Sequence, residues 1–389
     1  MMITSHNKTL LGTLALATLL AGPAMAQSHI DQGQHQRPLY PSLVAPQRAT
    51  IELVFVLDTT GSMGGMLEGA KTRIWGIVND VLQRRGNANT QVKVGLVAYR
   101  DRGDAYITKI TPLSSNLDAV YAQLMSLRAE GGGDGPEDVR SAMADALRSA
   151  GWSSQARAHS QIMFLVGDAP PHDDYQGLPS TTASARLAQQ RGIIVNTVQC
   201  GNMGETTPAW RSIAQFGGGE YFAIAQDGGV DVITTPYDQE LAKLGEQMGA
   251  TYMAYGASDH RARSQVGQAA MESSVMAAAP APARAERALN KALNTSAYDE
   301  SDLVQKAESN SIALPAIAEA ELPDALRKLE PAKRQAALDK AVAERKALRE
   351  RIVALSKRRD AFVAERRKDK GAKTGFDAAV SDALARQVK

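Results

Sequence analysis

Cysteine is nearly absent from this chain: Cys200 is the only one in 389 residues. No disulfide can form within the chain. The lone thiol closes an apolar run over 193–198 and reads as a buried side chain without a catalytic role. Aromatic residues are scarce, at 5%, while glycine is plentiful, which suits a loop-rich α/β domain joined to alanine-rich helical or flexible sequence. A formal net charge of +2 points to neither nucleic acid nor an acidic membrane surface as a partner. Phosphate-binding loops, nucleophile elbows and His-Glu-x-x-His zinc motifs are missing, as is any internal repeat.

Long apolar runs are missing too. The best, over 10–20, follows the positive charge of Lys8 and precedes Ala24-Met25-Ala26, a small-residue cleavage pattern. That order is a secretory signal, and so short a run makes no stable membrane anchor. The expectation is a signal peptide over 1–26, a mature chain from about Gln27 without a membrane-spanning segment, and a periplasmic or secreted location. No cysteine follows Ala26, which removes lipid attachment there. Residues 27–49 form a polar leader rich in glutamine and proline.

Beyond the leader, apolar runs alternate with helical spacings. Residues 51–57 are almost wholly apolar, the pattern of a strand buried on both faces. Leu67, Ala70, Ile74, Ile77, Val78 and Val81 follow at helical spacing. Runs over 92–99 and 106–110 are the next strands. The polar turn between them is too short for a parallel crossover, so this pair is an antiparallel hairpin at a sheet edge. Leu117, Val120, Leu124 and Leu127 mark a second helix. Val139, Met143, Ala146 and Ala150 mark a third, with Pro136 placed for its first turn. Strands over 162–166, 192–200 and 221–224 alternate with helices over 183–190, 206–216 and 236–249, the last opened by cap-like Thr235-Pro236-Tyr237-Asp238. This alternation predicts an α/β domain over 50–256 with a doubly wound, mostly parallel sheet.

The character then changes. Residues 257–320, rich in alanine and proline between 270 and 285, read as a linker with weak helical signals, and 321–389 as a charged helical tail. Leu338, Leu348, Ile352, Leu355 and Phe362 approach heptad spacing, but Arg345 and Arg359 fall in the same seam. A short helical hairpin or a self-associating helix fits that seam better than a long coiled coil. The basic run over 366–373 reads as a solvated face.

Three segments supply hard oxygen donors where strands end or helices begin: Asp58-Thr59-Thr60-Gly61-Ser62, Asp134-Gly135-Pro136-Glu137 and Gly167-Asp168. Ligands of open α/β sheets bind beyond the carboxyl ends of the strands, so this topology brings all three to one rim. Carboxylates and hydroxyls suit a divalent cation such as Mg2+, and next Mn2+ or Ca2+, better than zinc or copper.

Asp58-Thr59-Thr60-Gly61-Ser62-Met63 resembles the Asp-x-Ser/Thr-x-Ser motif of von Willebrand factor type A domains, which there forms the metal-ion-dependent adhesion site. Asp134-Gly135-Pro136-Glu137 is similar to the Asp-x-Pro-Glu segment of the A-like domain in integrin β subunits. Gly95-Leu96-Val97-Ala98-Tyr99, Trp152 and Gly167-Asp168-Ala169-Pro170-Pro171-His172 continue that similarity, which covers about 51–249. A domains attached to atypical kinases carry a like Gly-Gly-Asp-x-Pro-Glu loop. The resemblance implies that Thr60 and Ser62 bind the ion through their hydroxyls, that Asp58 and Asp168 hold it directly or through water, and that Glu137 is the third-loop ligand. It also implies a second ion near Asp134 and the Pro136 carbonyl. Integrin β domains carry two further acidic residues soon after the first motif; Gly64 and Gly65 stand in those places, so the regulatory ion they bind is not expected.

By the same resemblance, the ion's open position takes an acidic side chain from a protein partner. The chain then reads as an exported binding, adhesion or envelope-scaffolding module and not an enzyme. A metal-dependent hydrolase is the rival, with His172-Asp173-Asp174 as a base, although that segment reads more simply as a polar loop. An accessory subunit of a larger complex, as for A domains that serve ring ATPases, is a third reading, and the export signal argues against it. Asp101 reads as a turn former or an outer contributor to the second ion. Arg102-Gly103-Asp104, a tripeptide many integrins recognise, is accounted for by the hairpin turn.

Overall fold

The computed structural model describes residues 49–84, 90–154, 159–230, 232–368 and 375–388. The expected signal peptide, nearly all of the leader and part of the basic run over 366–373 lie outside them. Among the described residues no helix is long and apolar enough to cross a membrane.

Six strands form one sheet: β1 (Ala49–Asp58), β2 (Thr90–Tyr99), β3 (Thr108–Ser114), β4 (His159–Gly167), β5 (Ile193–Cys200) and β6 (Gly218–Ile224), in the order β3-β2-β1-β4-β5-β6. All neighbours are parallel except β2 and β3, the antiparallel edge pair that the short turn predicts. The order reverses between β1 and β4, which makes that boundary the switch point where such sheets leave a crevice. Leu57 pairs with Val166, so Asp58 and Gly167 end their strands level, and Asp168 follows at once.

Burial explains the apolar runs. Leu53, Phe55 and Leu57 of β1 join one core cluster while Val54 and Val56 join the other, so every residue of the run has a covered face. One face is covered by α1 (Gly64–Arg84), α2 (Leu117–Ser126) and α6 (Asp238–Ala250); the opposite face by α3 (Val139–Ser149), α4 (Thr181–Gln190) and α5 (Thr206–Phe216). Several boundaries move from expectation by a few residues. Strand β3 starts at Thr108. Helix α3 starts at Val139, because the Asp138 carboxylate accepts from Ser141 N at 2.9 Å and caps it, which leaves Pro136 in the preceding loop.

The expected linker is instead folded. Helices α7 (Ser258–Ala278) and α8 (Ala281–Leu293) fill most of its first half, and α8 is buried from Pro282 to Leu293 on nearly every side. Its alanines let it approach closely: a Cβ on Gly245 of α6 would lie 2.8 Å from the Cβ of Ala288. Its polar residues are paired rather than solvated. Asn79 Nδ2 donates to the Glu286 carbonyl at 2.9 Å, and Arg287 binds Asp118 and Glu272.

The charged tail is mainly one long helix, α11 (Pro331–Lys368), after the short helices α9 (Leu303–Glu308) and α10 (Asp324–Arg327). Leu348, Ile352 and Leu355 are buried in the main core, so this part of the seam is filled within the chain. The two arginines that interrupt the seam are what anchors it. Arg345, fully buried, pairs with Asp302 and donates from Nε to Thr251 Oγ1 at 2.7 Å. Arg359 reaches Asp238 and Glu286, both at 2.7 Å. The last helix, α12 (Phe376–Gln387), sets Phe376 against Phe55, with ring centres 6.1 Å apart.

Candidate metal centre

Backbone hydrogen bonds stitch three loops together at the switch point. Glu130 N donates to the Thr59 carbonyl and Gly61 N to the Gly131 carbonyl, both at 3.1 Å, which binds the second loop to the first. Glu137 N donates to the Pro170 carbonyl at 3.0 Å and His172 N to the Glu137 carbonyl at 2.9 Å, which binds the second loop to the third. The third loop is held from below by Thr206 Oγ1, which donates to the Asp168 carbonyl at 2.9 Å, and by Trp210 Nε1, which donates to the Ala169 carbonyl at 3.1 Å.

Asp58, Thr60, Glu137 and Asp168 are thereby buried along one rim, with exposures of 0%, 2%, 3% and 6%, their three carboxylates not all within 4.8 Å of one another. Asp58 Oδ1 accepts from Thr60 N at 2.9 Å and from Thr60 Oγ1 at 2.6 Å. Gly132 lies against the pair beyond: a Cβ there would sit 3.3 Å from both Glu137 Oε1 and Thr60 Cβ, and its φ of +83° suits glycine. Asp58 Oδ2 lies beside Gly167, and Asp168 Oδ2 accepts from Gln226 Nε2 at 2.5 Å. Ser62 differs: it is exposed on a short 3-10 turn (Gly61–Met63), and its carbonyl accepts from Gln226 Nε2 at 3.3 Å. Asp134 is 58% exposed and stands apart from the buried four, its Oδ2 3.4 Å from His172 Nε2.

Electrostatics set this cluster under strain. Burial pushes the Asp58 carboxyl up to about 7; the hydrogen bonds from Thr60 oppose the rise and the charge of Asp168 adds to it. Burial, then the charges of Asp58, Asp101 and Asp104, push Glu137 up to about 9. Buried Tyr99 has its phenol held well above its ordinary value, first by burial and then by the charges of Asp58, Glu137 and Asp168. Asp58 Oδ2, Glu137 Oε2 and Asp168 Oδ1 are buried without a hydrogen-bond partner. Buried acceptors are normally satisfied, and a hard divalent cation is the partner that a carboxylate and hydroxyl donor set fits.

Several participants carry no signal of their role in the sequence. Tyr99, beneath the carboxylates, enters there as a strand end and as the close of the Gly95–Tyr99 segment of the resemblance, with no role of its own. Gln226 braces Asp168 across 58 residues, with no local motif around it. Asp104, read from sequence as part of the hairpin turn, accepts from Gly132 N at 3.1 Å and so holds the loop that packs on Glu137. Asp101 is no plain turn former: both its carboxylate oxygens accept from Tyr175 OH at 2.9 Å.

These features define a class, the open α/β domain with a polar cradle at its switch point. Comparison with known families agrees: residues 52–236 match the profile of the von Willebrand factor A domain. Human von Willebrand factor A domain-containing protein 7 is 36% identical over 123 residues, 32% of this chain and 12% of that protein. Alpha-protein kinase vwkA of Dictyostelium discoideum is 29% identical over 123 residues, 31% of this chain and 19% of that protein. The chain thus spans no more than a fifth of the length of these relatives. A solved aerotolerance-related membrane protein from Bacteroides fragilis aligns over 46% of this chain and 92% of its own, with 18% identity and a TM-score of 0.31.

Proposed function

We propose that this A domain binds a protein partner through a divalent cation held by Asp58, Thr60, Ser62, Glu137 and Asp168. A von Willebrand factor A domain is in keeping with protein–protein interaction or adhesion. The observation that carries the metal reading is the set of buried, unpartnered oxygens on Asp58, Glu137 and Asp168. Thr60 and Ser62 contribute neutral donors in place of carboxylates, and Asp58 and Asp168 acting through water would leave the ion more of its charge. When bound, the ion offers an open position to an incoming carboxylate, with Mg2+ the first candidate and Mn2+ or Ca2+ next. Gln226 and Thr60 orient Asp168 and Asp58 before the ion arrives. The resemblance to the metal-ion-dependent adhesion site, and within it to the integrin β A-like domain, supports an acidic side chain as the guest.

The export signal favours the periplasm or the cell exterior for this activity, as an adhesion or envelope-scaffolding module rather than an enzyme. Affinity capture with the full chain, in Mg2+ and then in chelator, tests the reading with Asp58→Ala as control. Partners retained by wild type only with Mg2+, and lost in Asp58→Ala, support it. Equal capture by the variant overturns it.

A further inference from the structure

The mouth of the cradle has a charge pattern of its own. Asp101, Asp104 and Asp134 stand on one side; the charges of Asp101 and Asp104 act on Glu137, and Asp134 is 58% exposed. Glu130, beside the first loop, is 67% exposed, and exposed Asp227 follows Gln226 on the other side. The segments that carry these residues and the ion donors, 58–65, 100–106, 128–138, 167–175 and 225–230, contain no lysine. Their arginines are already engaged. Arg100, buried, donates from Nε to the Thr59 carbonyl at 3.1 Å and lies 3.7 Å from Glu130. Arg102 pairs with Asp138 at 3.1 Å and lies over the Tyr175 ring, and Arg128 donates to the Met125 carbonyl at 3.0 Å. A protonated His172 is shared among Asp174, Asp134 and Asp101, at 2.7, 3.4 and 3.9 Å. The whole chain carries a formal net charge of +2, so the excess of carboxylates is local to this rim.

Resting on the metal-dependent reading above, we propose that the protein partner presents its acidic side chain from within a basic segment, one carboxylate with lysines or arginines on either side. A filled cradle is a positive centre inside a negative ring, and its complement is a negative centre inside a positive one. Charges matched in this way across an interface set partner choice and encounter rate more than raw affinity, and like charges set against each other exclude wrong partners. A guest carboxylate among other acids gains at the ion and is repelled by the rim. The same carboxylate among bases gains at both. The rim is exposed, so salt screens its share, while the short contact with the ion is screened less. Preference for basic flanks should therefore fade with salt before the need for the ion does.

The test is NMR titration of the full chain in Mg2+ with four capped nine-residue peptides. Three carry a central glutamate flanked by lysines, glutamines or glutamates, and the fourth has lysine flanks around a central glutamine. Mg2+ calorimetry on the same samples reports whether the chain binds the ion. The expected result is that lysine flanks bind at least about tenfold tighter than glutamine flanks, and that glutamate flanks bind weakest. Added NaCl should narrow that gap, as should Glu130→Gln combined with Asp227→Asn, an exposed pair outside the ion's donor set. The central glutamine should remove the Mg2+-dependent part of binding. Glutamine or glutamate flanks as good as lysine on a chain that binds Mg2+ overturn this inference and leave the metal-dependent reading standing. So does a lysine-flanked peptide that fails to bind the Mg2+-loaded chain at millimolar concentration. Lysine-flanked peptides held equally in chelator, or equally with a central glutamine, show a rim that takes bases without the ion, and overturn it as well. A wild type that binds no Mg2+ overturns both.

Discussion

Thr60 Oγ1 donates to Asp58 Oδ1 at 2.6 Å while Asp58 Oδ2, on the same carboxylate, is buried with no partner. One oxygen is fixed by the chain and the other is left for something the chain does not contain. That asymmetry separates structural from ion-binding duty within a single side chain. Asp58→Asn keeps an acceptor for Thr60 and removes the charge. Without added metal at pH 8 the variant is expected to gain about 1–3 kcal/mol over wild type in urea unfolding, from relief of an unpaired buried carboxylate. It should also lose the thermal shift that Mg2+ gives wild type. A metal-free variant less stable than wild type would count against the cradle.

Stability should depend on pH in a direction opposite to that of an ordinary paired carboxylate. The folded-state values of Asp58, about 7, and Glu137, about 9, stand above their ordinary 3.8 and 4.5. A raised value means the folded state holds its proton longer, so their contribution is complete below about pH 4 and is lost as pH rises through 7 and then 9. Melting temperature of the metal-free chain should therefore fall across that window. Mg2+ replaces the protons, so the stabilisation it gives should grow with pH over the same range. A Mg2+ shift that is flat from pH 5 to 9 would mean that these two carboxyls are not its ligands.

The sheet is legible in the sequence because its strands are buried on both faces, and a continuous apolar run such as 51–57 suits a covered strand and little else of that length. The loops at Asp58 and Asp168 are legible for the same reason, since each follows such a run directly. Helix α8 is not. Arg287 and Lys291 look like solvent charges in sequence, yet both are buried against Asp118 and Glu272, partners that lie on other helices. Its alanines look like a linker until the close approach to Gly245 shows why larger side chains would not fit. Gln226 and Asp104 are hidden by distance along the chain: each acts on a loop whose position only the fold sets.

That packing makes a specific claim about truncation. A chain ending after Gly256 keeps the six-stranded sheet but strips α8, α11 and α12 from α1 and α6. It would expose the core positions that Leu289, Ile352, Leu355 and Phe376 cover. Each fully buried apolar side chain of this size contributes about 1.5–3 kcal/mol, so losing several is comparable with the whole stability of an ordinary domain. The truncated chain is expected to be aggregated or molten in gel filtration and near-ultraviolet circular dichroism. A soluble, cooperatively melting fragment would show that the C-terminal helices are dispensable.

Helix α11 offers a sharper test of the same seat. Arg345 and Asp302 are both fully buried, and Asp302 also accepts from Met253 N at 3.1 Å and Gln305 N at 3.2 Å. The arginine therefore neutralises a carboxylate already committed to capping α9 and joining it to the end of α6. Removing one member of a buried pair costs more than the pair itself contributes, because the survivor keeps its charge in a dry site. Arg345→Met is expected to cost about 3–5 kcal/mol in urea unfolding. Asp302→Asn added to it keeps an acceptor for one of the two backbone donors, removes the stranded charge and should recover at least about 1 kcal/mol, a coupling that only contacting residues show. If instead the two losses simply add, the arginine stabilises α11 through its contact with the Tyr298 ring, 4.7 Å away, and not through the carboxylate.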